Sequence, residues 1–321
     1  MKRLLFVIAL LILSIGLFSQ TKNDTVFSES EILLRTSTGD ISGTLTVPVT
    51  VKTSPVVLII AGSGPTDRNC NSSLGIKTNA YKMLAEGFAQ KGISTLRFDK
   101  RGIGKSKAAM ISEDELTFET YIDDVVGWIS LLQSDQRFSG IILLGHSEGS
   151  LIGIIAAERT KVSALISVSG AGYPADQILQ EQLKDKLSFE LLDESNKIID
   201  SLKMGKTVSD VNQNLLFIYR PSIQPYLISW MQYDPAKEIS KLKIPALIIQ
   251  GKTDLQVTVD DAKMLSASKP DAKLILIDAM NHVLKESDTD IQKNMATYNK
   301  PDLPLKKGLV EEMVDFILAE K

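Results

Sequence analysis

The chain has 321 residues but only one cysteine, Cys70, and only two histidines, His146 and His282. A single cysteine cannot close an intrachain disulfide, so the fold must be held by its core. Cys70 also lacks the sequence context of a cysteine nucleophile, and the better reading is a buried or loop thiol. No H-E-x-x-H pattern and no cluster of histidine and cysteine ligands occurs, so a catalytic metal is not expected and no cofactor is implied. Basic charge is not in excess: the net charge is -3 and the pI is near 5.6. The lysines are scattered, and nothing points to nucleic acid or an anionic membrane surface as partner. There is no internal repeat and no low-complexity tract. Apolar residues make up 44% of the chain, enough to bury a full core, and the length suits one large domain with an insertion or two small domains.

The N-terminus has its own character. Lys2 and Arg3 are followed by the apolar run Leu4 to Phe18 and then by Ser19-Gln20. This is the pattern of a secretory signal peptide over residues 1–20, which predicts export to the periplasm or the medium. The alternative is an uncleaved N-terminal membrane anchor, although the run is short for a span of ~20 residues. No cysteine follows the run, so lipid attachment there is not expected. After cleavage no stable membrane partner is expected, and the oligomeric state stays open.

Beyond residue 20 the pattern alternates. Glu31 to Pro48 reads as a hairpin around Gly39-Asp40. Pro55 to Ile60 is continuously apolar and β-branched, as a strand buried on both faces requires. Helical spacing over Tyr81–Lys91 stops at Gly92, and Ile93–Phe98 is again a strand. Phe118, Ile122, Val125, Ile129 and Leu132 form one face of a helix. Ile141–Leu144, Val162–Val168, Ile244–Ile249 and Leu274–Ile277 supply further strands, and Leu309–Leu318 a closing helix. The alternation predicts an α/β fold with a mostly parallel sheet and helices on both faces. Residues 174–241 lack a strong strand and carry helical spacings, which predicts a helical cap inserted across the carboxyl ends of the strands. Asp288–Lys307 is polar and reads as a long surface loop.

The chemistry is concentrated in Gly145-His146-Ser147-Glu148-Gly149, between a strand and a helix. A serine hydroxyl becomes an accessible nucleophile on a sharp strand-to-helix turn, and that turn needs small residues two positions before and after it. Ser147 is the candidate nucleophile. It needs a base, and the usual base is histidine. His146 is adjacent in sequence and would point elsewhere at a tight elbow, which leaves His282 just past a strand end. Asp254, just past the preceding strand, is the carboxylate best placed to fix the imidazole tautomer, ahead of Asp260, Asp261 and Asp278. The oxyanion needs two donors, assigned to the backbone N–H groups of Ser63 and Glu148. Asp67 and Arg68 follow in the Ser63 loop and are expected to pair and brace it. Gly104-Lys105-Ser106 looks like the end of a phosphate-binding loop, but Asp99 occupies the required first glycine, so a turn is the better reading. Tyr226, Trp230 and Tyr233 are read first as packing within the insertion and second as the lining of an acyl pocket.

The strand order, the elbow Gly145–Gly149, Asp254 and His282 resemble the α/β-hydrolase superfamily. The segments Ala61–Asn69, Arg97–Gly104 and Arg220–Pro225, with Trp230, are similar to exported esterases of the esterase D type, within the group that has serine aminopeptidase-like (S33) domains. The resemblance runs from about residue 30 to the end. Ala61 stands where many of these relatives carry a histidine before the oxyanion glycine. The expectation is a serine carboxylesterase that hydrolyses short-chain acyl esters through an acyl-enzyme, with a small-molecule ester as partner. One alternative is a serine aminopeptidase-like enzyme for short peptides, which would need an acidic grip such as Asp185, Glu190, Asp193 and Glu194. The other is a non-catalytic binding module on a hydrolase scaffold.

Overall fold

The computed structural model describes residues 26–320. The segment read above as a signal peptide lies outside the described residues. An eight-stranded sheet runs through the molecule. Strands β1 (Phe27–Thr36) and β2 (Gly39–Pro48) form an antiparallel hairpin. β3 (Ser54–Ile60) is buried at every residue. A two-residue ribbon, β4 (Asn71–Ser72) and β5 (Ile76–Lys77), stands apart from the main sheet. The main sheet continues with β6 (Ser94–Phe98), β7 (Phe138–His146), β8 (Ala164–Val168), β9 (Ala246–Gly251) and β10 (Lys273–Ile277). Their order is β1-β2-β6-β3-β7-β8-β9-β10. All pairings from β6 to β10 are parallel, and only β1 and β2 run against their neighbours. This is the mostly parallel α/β sheet that the alternating sequence predicts.

The two-residue period of a strand sorts the core into two layers. Val56, Leu58 and Ile60 of β3 face one layer, while Val57 and Ile59 face the other. The first layer takes α2 (Phe118–Gln133) through Phe118, Ile122, Val125, Trp128, Ile129 and Leu132. It also takes α3 (Glu148–Arg159) and α9 (Val259–Ser268). The second layer takes α1 (Ala80–Gln90) and α11 (Leu309–Ala319) through Leu84, Phe88, Leu309, Met313 and Phe316. Helix α3 is buried over Glu148–Ala157, between the sheet and helix α8 (Pro235–Lys241). Such a helix is apolar all round, so periodicity alone marks it poorly.

Between β8 and β9 the chain leaves the sheet. It forms α4 (Ala175–Leu183), α5 (Phe189–Lys203), α6 (Leu216–Tyr219), α7 (Gln224–Trp230) and then α8. These helices, with the 3₁₀ turn Gln213–Leu215 before α6, bury Ile198, Ile199, Leu202, Leu215 and Tyr219 in the same layer as α2 and α3. The segment after β10 is not a plain surface loop. It forms α10 (Ile291–Met295) and a 3₁₀ turn, and it buries Asn294 and Thr297. Those two polar side chains are satisfied inside the molecule, so polarity misleads there.

The steric requirement at the elbow is explicit. A Cβ on Gly145 would lie 2.2 Å from the Gly149 carbonyl oxygen, and one on Gly149 would lie 2.3 Å from that of Ile60. Neither neighbour is a flexible side chain that could move aside. Gly149→Ala should therefore destabilise the fold by ~1–3 kcal/mol, the range of overpacked cores. A urea unfolding midpoint equal to that of the parent would contradict the assignment.

Candidate active site

β7 ends at His146 and α3 begins at Glu148, so Ser147 alone makes the turn. Its backbone has φ 56° and ψ -124°, a region that a non-glycine residue occupies only under constraint. The Ser147 N–H donates to the Val168 carbonyl at 3.0 Å, which ties the turn to the end of β8. The loop after β3 passes over the serine: a Cβ on Gly62 would sit 3.0 Å from the Ser147 Cβ. Ser63, next in that loop, is exposed and lines a cavity together with Ser147 and Glu148. Glu148 is the first residue of α3, where backbone N–H groups have no partner within the helix.

Asp254 and His282 meet, although they follow different strands. His282 Nδ1 lies 2.8 Å from Asp254 Oδ2, and both side chains are buried. The carboxylate also accepts from Gln250 Nε2 and from the backbone N–H groups of Gln256 and Val257. Burial pushes the Asp254 carboxyl up, but His282 and these hydrogen bonds outweigh it and hold the group below its ordinary value. The remaining carboxylates are engaged elsewhere. Asp260 pairs with Lys263 at the surface, Asp261 caps α9 and accepts from the Gly172 N–H, and Asp278 pairs with Lys252.

His146 does a different job from His282. It is buried, and burial pushes its imidazole down to about 3, so the ring is neutral. Its ring centroid lies 4.9 Å from that of His282, which sets the second imidazole beside the elbow. Nε2 of His146 is 2.8 Å from the His282 carbonyl oxygen and must donate to it. Nδ1 is then an acceptor, and the Tyr81 hydroxyl donates to it at 2.8 Å. The Tyr81 oxygen accepts in turn from the Gly62 N–H at 3.3 Å. One neutral chain thus links the Ser63 loop, the elbow and the His282 loop. Behind His282, Asn281 donates to Asn294 and Thr297, and Asn294 donates to the Thr253 carbonyl. The segment after β10 therefore fastens the His282 loop to the Asp254 loop.

The Ser63 loop is braced, but not by the expected pair. Arg68 bonds Asp99 at 2.8 Å, while Asp67 accepts from the N–H groups of Asn69 and Asn71. A second brace had no sequence signal. Lys100 donates to the Gly62 carbonyl and to Glu148, both at 3.1 Å, and the Tyr226 hydroxyl donates to the other oxygen of Glu148. Gly104 and Lys105 form a turn around Asp99, whose carboxylate accepts the Lys105 N–H.

Two cavities flank this centre. One, of about 150 Å³, is lined by Ser147 with Leu151, Ile178, Leu179, Trp230 and Val257. The other, of about 460 Å³, is lined by Leu116, Phe217, Ile223 and Tyr226 among others. Ser63, Glu148 and Trp230 border both. Trp230 stacks on Phe118 of α2 at 6.0 Å, so it packs the insertion against α2, and it lines both cavities as well. None of Asp185, Glu190, Asp193 and Glu194 lines either cavity. Asp193 pairs with Lys197, and Glu194 accepts from Asn212. Among the described residues no group of three or more histidine, cysteine and carboxylate side chains could hold a metal, and no helix is long and apolar enough to cross a membrane.

Comparison with known proteins agrees with this architecture. Residues 74–288 match the family described as serine aminopeptidase, S33. Esterase EstD of Thermotoga maritima is 26% identical over 295 residues, covering 90% of this chain and 66% of that protein, slightly under two thirds of its length. The monoglyceride lipase of Rattus norvegicus is 26% identical over 228 residues, covering 67% of this chain and 74% of the lipase. Among solved structures, ferulic acid-bound Est1E from Butyrivibrio proteoclasticus superposes with a TM-score of 0.60 at 18% identity, covering 90% of this chain and 98% of that one. The Pyrococcus furiosus esterase Pf2001 gives 0.55 at 16% identity, covering 91% and 93%. At such identities the structures speak for the fold alone.

Tyr81→Phe would leave His146 Nδ1 and the Gly62 N–H buried without partners. It should cost ~1–3 kcal/mol of stability. Denaturant unfolding of the variant checks this, and an unchanged midpoint would mean that the linkage carries no weight.

Proposed function

The chain belongs to the serine aminopeptidase, S33, family of α/β-hydrolases, and from that membership we propose that it is a serine carboxylesterase acting on short-chain acyl esters through an acyl-enzyme. The observation that carries the proposal is the 2.8 Å Asp254–His282 hydrogen bond beside a serine held at positive φ. Ser147 Oγ attacks the ester carbonyl carbon while His282 Nε2 takes its proton. Asp254 keeps the proton on Nδ1, so that Nε2 is the basic nitrogen, and stabilises the imidazolium that forms. The N–H groups of Ser63 and Glu148 receive the oxyanion. His282 then protonates the departing alkoxide, and water activated by the same nitrogen releases the acid.

We assign the acyl group to the cavity that Ser147 lines. That cavity is the smaller and is walled by Leu151, Ile178, Leu179 and Val257, which supports a short apolar acyl chain. The wider cleft beyond Trp230 then takes the alcohol. A peptidase of this family would need a carboxylate to grip an amino terminus, but Asp193 pairs with Lys197, Glu194 accepts from Asn212, and neither these nor Asp185 and Glu190 line either cavity. We also propose export, on the pattern of residues 1–20 alone.

Hydrolysis of p-nitrophenyl esters from acetate to long chains tests the reading. Turnover should be best at short chains and fall by more than about 10³-fold in Ser147→Ala. A folded protein that prefers aminoacyl-amides to all of these esters would overturn the ester assignment. Failure of Ser147 to react with a fluorophosphonate would favour a non-catalytic binding module.

A further inference from the structure

We propose that Lys100 is a positioning residue of the oxyanion hole, its ammonium orienting and polarising the Gly62–Ser63 peptide so that the Ser63 N–H meets the developing oxyanion. The proposal rests on the esterase reading above.

The Lys100 ammonium lies 3.1 Å from the Gly62 carbonyl oxygen. That oxygen and the Ser63 N–H belong to one peptide group. A charged donor on the oxygen draws electron density toward it and makes the N–H a stronger donor. The same bond fixes the plane of the peptide and hence the direction of the N–H. The ammonium also lies 3.1 Å from Glu148, the residue that supplies the second N–H. One cation is therefore bonded to both chain segments that carry the oxyanion donors. Lys100 and Glu148 side chains are 4% and 2% exposed, so little water screens the charge. Tyr121 lies under the ammonium at 4.0 Å, and the Tyr226 hydroxyl holds the far oxygen of Glu148. Burial works against the charge, but the Glu148 carboxylate outweighs it and raises the ammonium above its ordinary value.

The neighbouring charges do not share this role. Asp99 is committed to Arg68, and Arg101 is bonded to Asp124. Stability alone is a weak reason for a buried ion pair, because apolar replacement of such pairs is often neutral. Here the ammonium is fixed on the Gly62 carbonyl oxygen, one peptide group away from the site where negative charge develops, which is what electrostatic preorganisation requires.

The test uses Lys100→Met/Glu148→Gln. Lys100→Met alone strands a buried carboxylate and is prone to unfold, whereas the double variant removes both charges and leaves Tyr226 an acceptor. Active sites are titrated with a fluorophosphonate. For the titrated enzyme, kcat and KM for p-nitrophenyl butyrate are measured with the Ki of a trifluoromethyl ketone, which forms a hemiketal oxyanion on Ser147. The double variant should lose about 10–100-fold in kcat, keep KM within about threefold, and bind the ketone more weakly by the same factor as kcat. A bracing role alone would lower the titratable fraction but leave kcat per site and Ki unchanged, and that result overturns the proposal while the active parent upholds the esterase reading. A parent that neither hydrolyses the ester nor reacts with the fluorophosphonate overturns both.

Discussion

A serine at the C-terminal end of a central strand can hold φ 56° only where the chain around it leaves no alternative. Three glycines impose that condition. Gly145 lies against the backbone of Gly149 and Ser150, Gly149 against the carbonyls of Ile60 and Ala61, and Gly62 against the serine itself. The elbow is thus wedged between β3, β8 and the start of α3, and the order of strands decides which loops reach it. β3 and β8 flank β7, so the loop after β3 supplies Gly62 and Ser63. β9 and β10 follow β8, and their ends supply Asp254 and His282. The sheet order is in this sense the cause of the site.

Packing brings these loops near one another, and buried polar contacts set them in register. A neutral chain runs from the Gly62 N–H through Tyr81 and His146 to the His282 carbonyl. A charged one runs from the Gly62 carbonyl through Lys100 to Glu148 and Tyr226. Both polar groups of Gly62 are therefore held, its N–H by Tyr81 of α1 and its carbonyl by Lys100 after β6. Such networks are costly when half satisfied, so each member constrains the rest. Tyr226 carries this constraint into the helical insertion, where Trp230 lines both cavities.

The parts legible in the sequence were those fixed by local pattern. The apolar run of β3, the spacing along α2 and the glycines around Ser147 each announce their environment within a few residues. Asp254 and His282 could be matched because both follow strand ends, even though they lie 28 residues apart. Long-range polar partners left no such trace. Arg68 was expected to join its neighbour Asp67, yet it bonds Asp99, 31 residues away. Lys100 and Glu148 are separated by 48 residues, and Tyr81 and His146 by 65. Asn294 lies in a polar stretch that reads as surface, and only the fold turns it inward against Asn281. A side chain's composition tells whether it can bond, and the topology tells with what.

The geometry of a covalent phosphonate adduct would examine the proposed hole most directly. In a crystal structure of the protein treated with a short alkyl fluorophosphonate, phosphorus should be bonded to Ser147 Oγ. The phosphoryl oxygen should lie at ~2.7–3.1 Å from the backbone nitrogens of both Ser63 and Glu148. Phosphorus on another residue, or an oxygen turned away from these two amides, would contradict the account of how this fold carries out its chemistry.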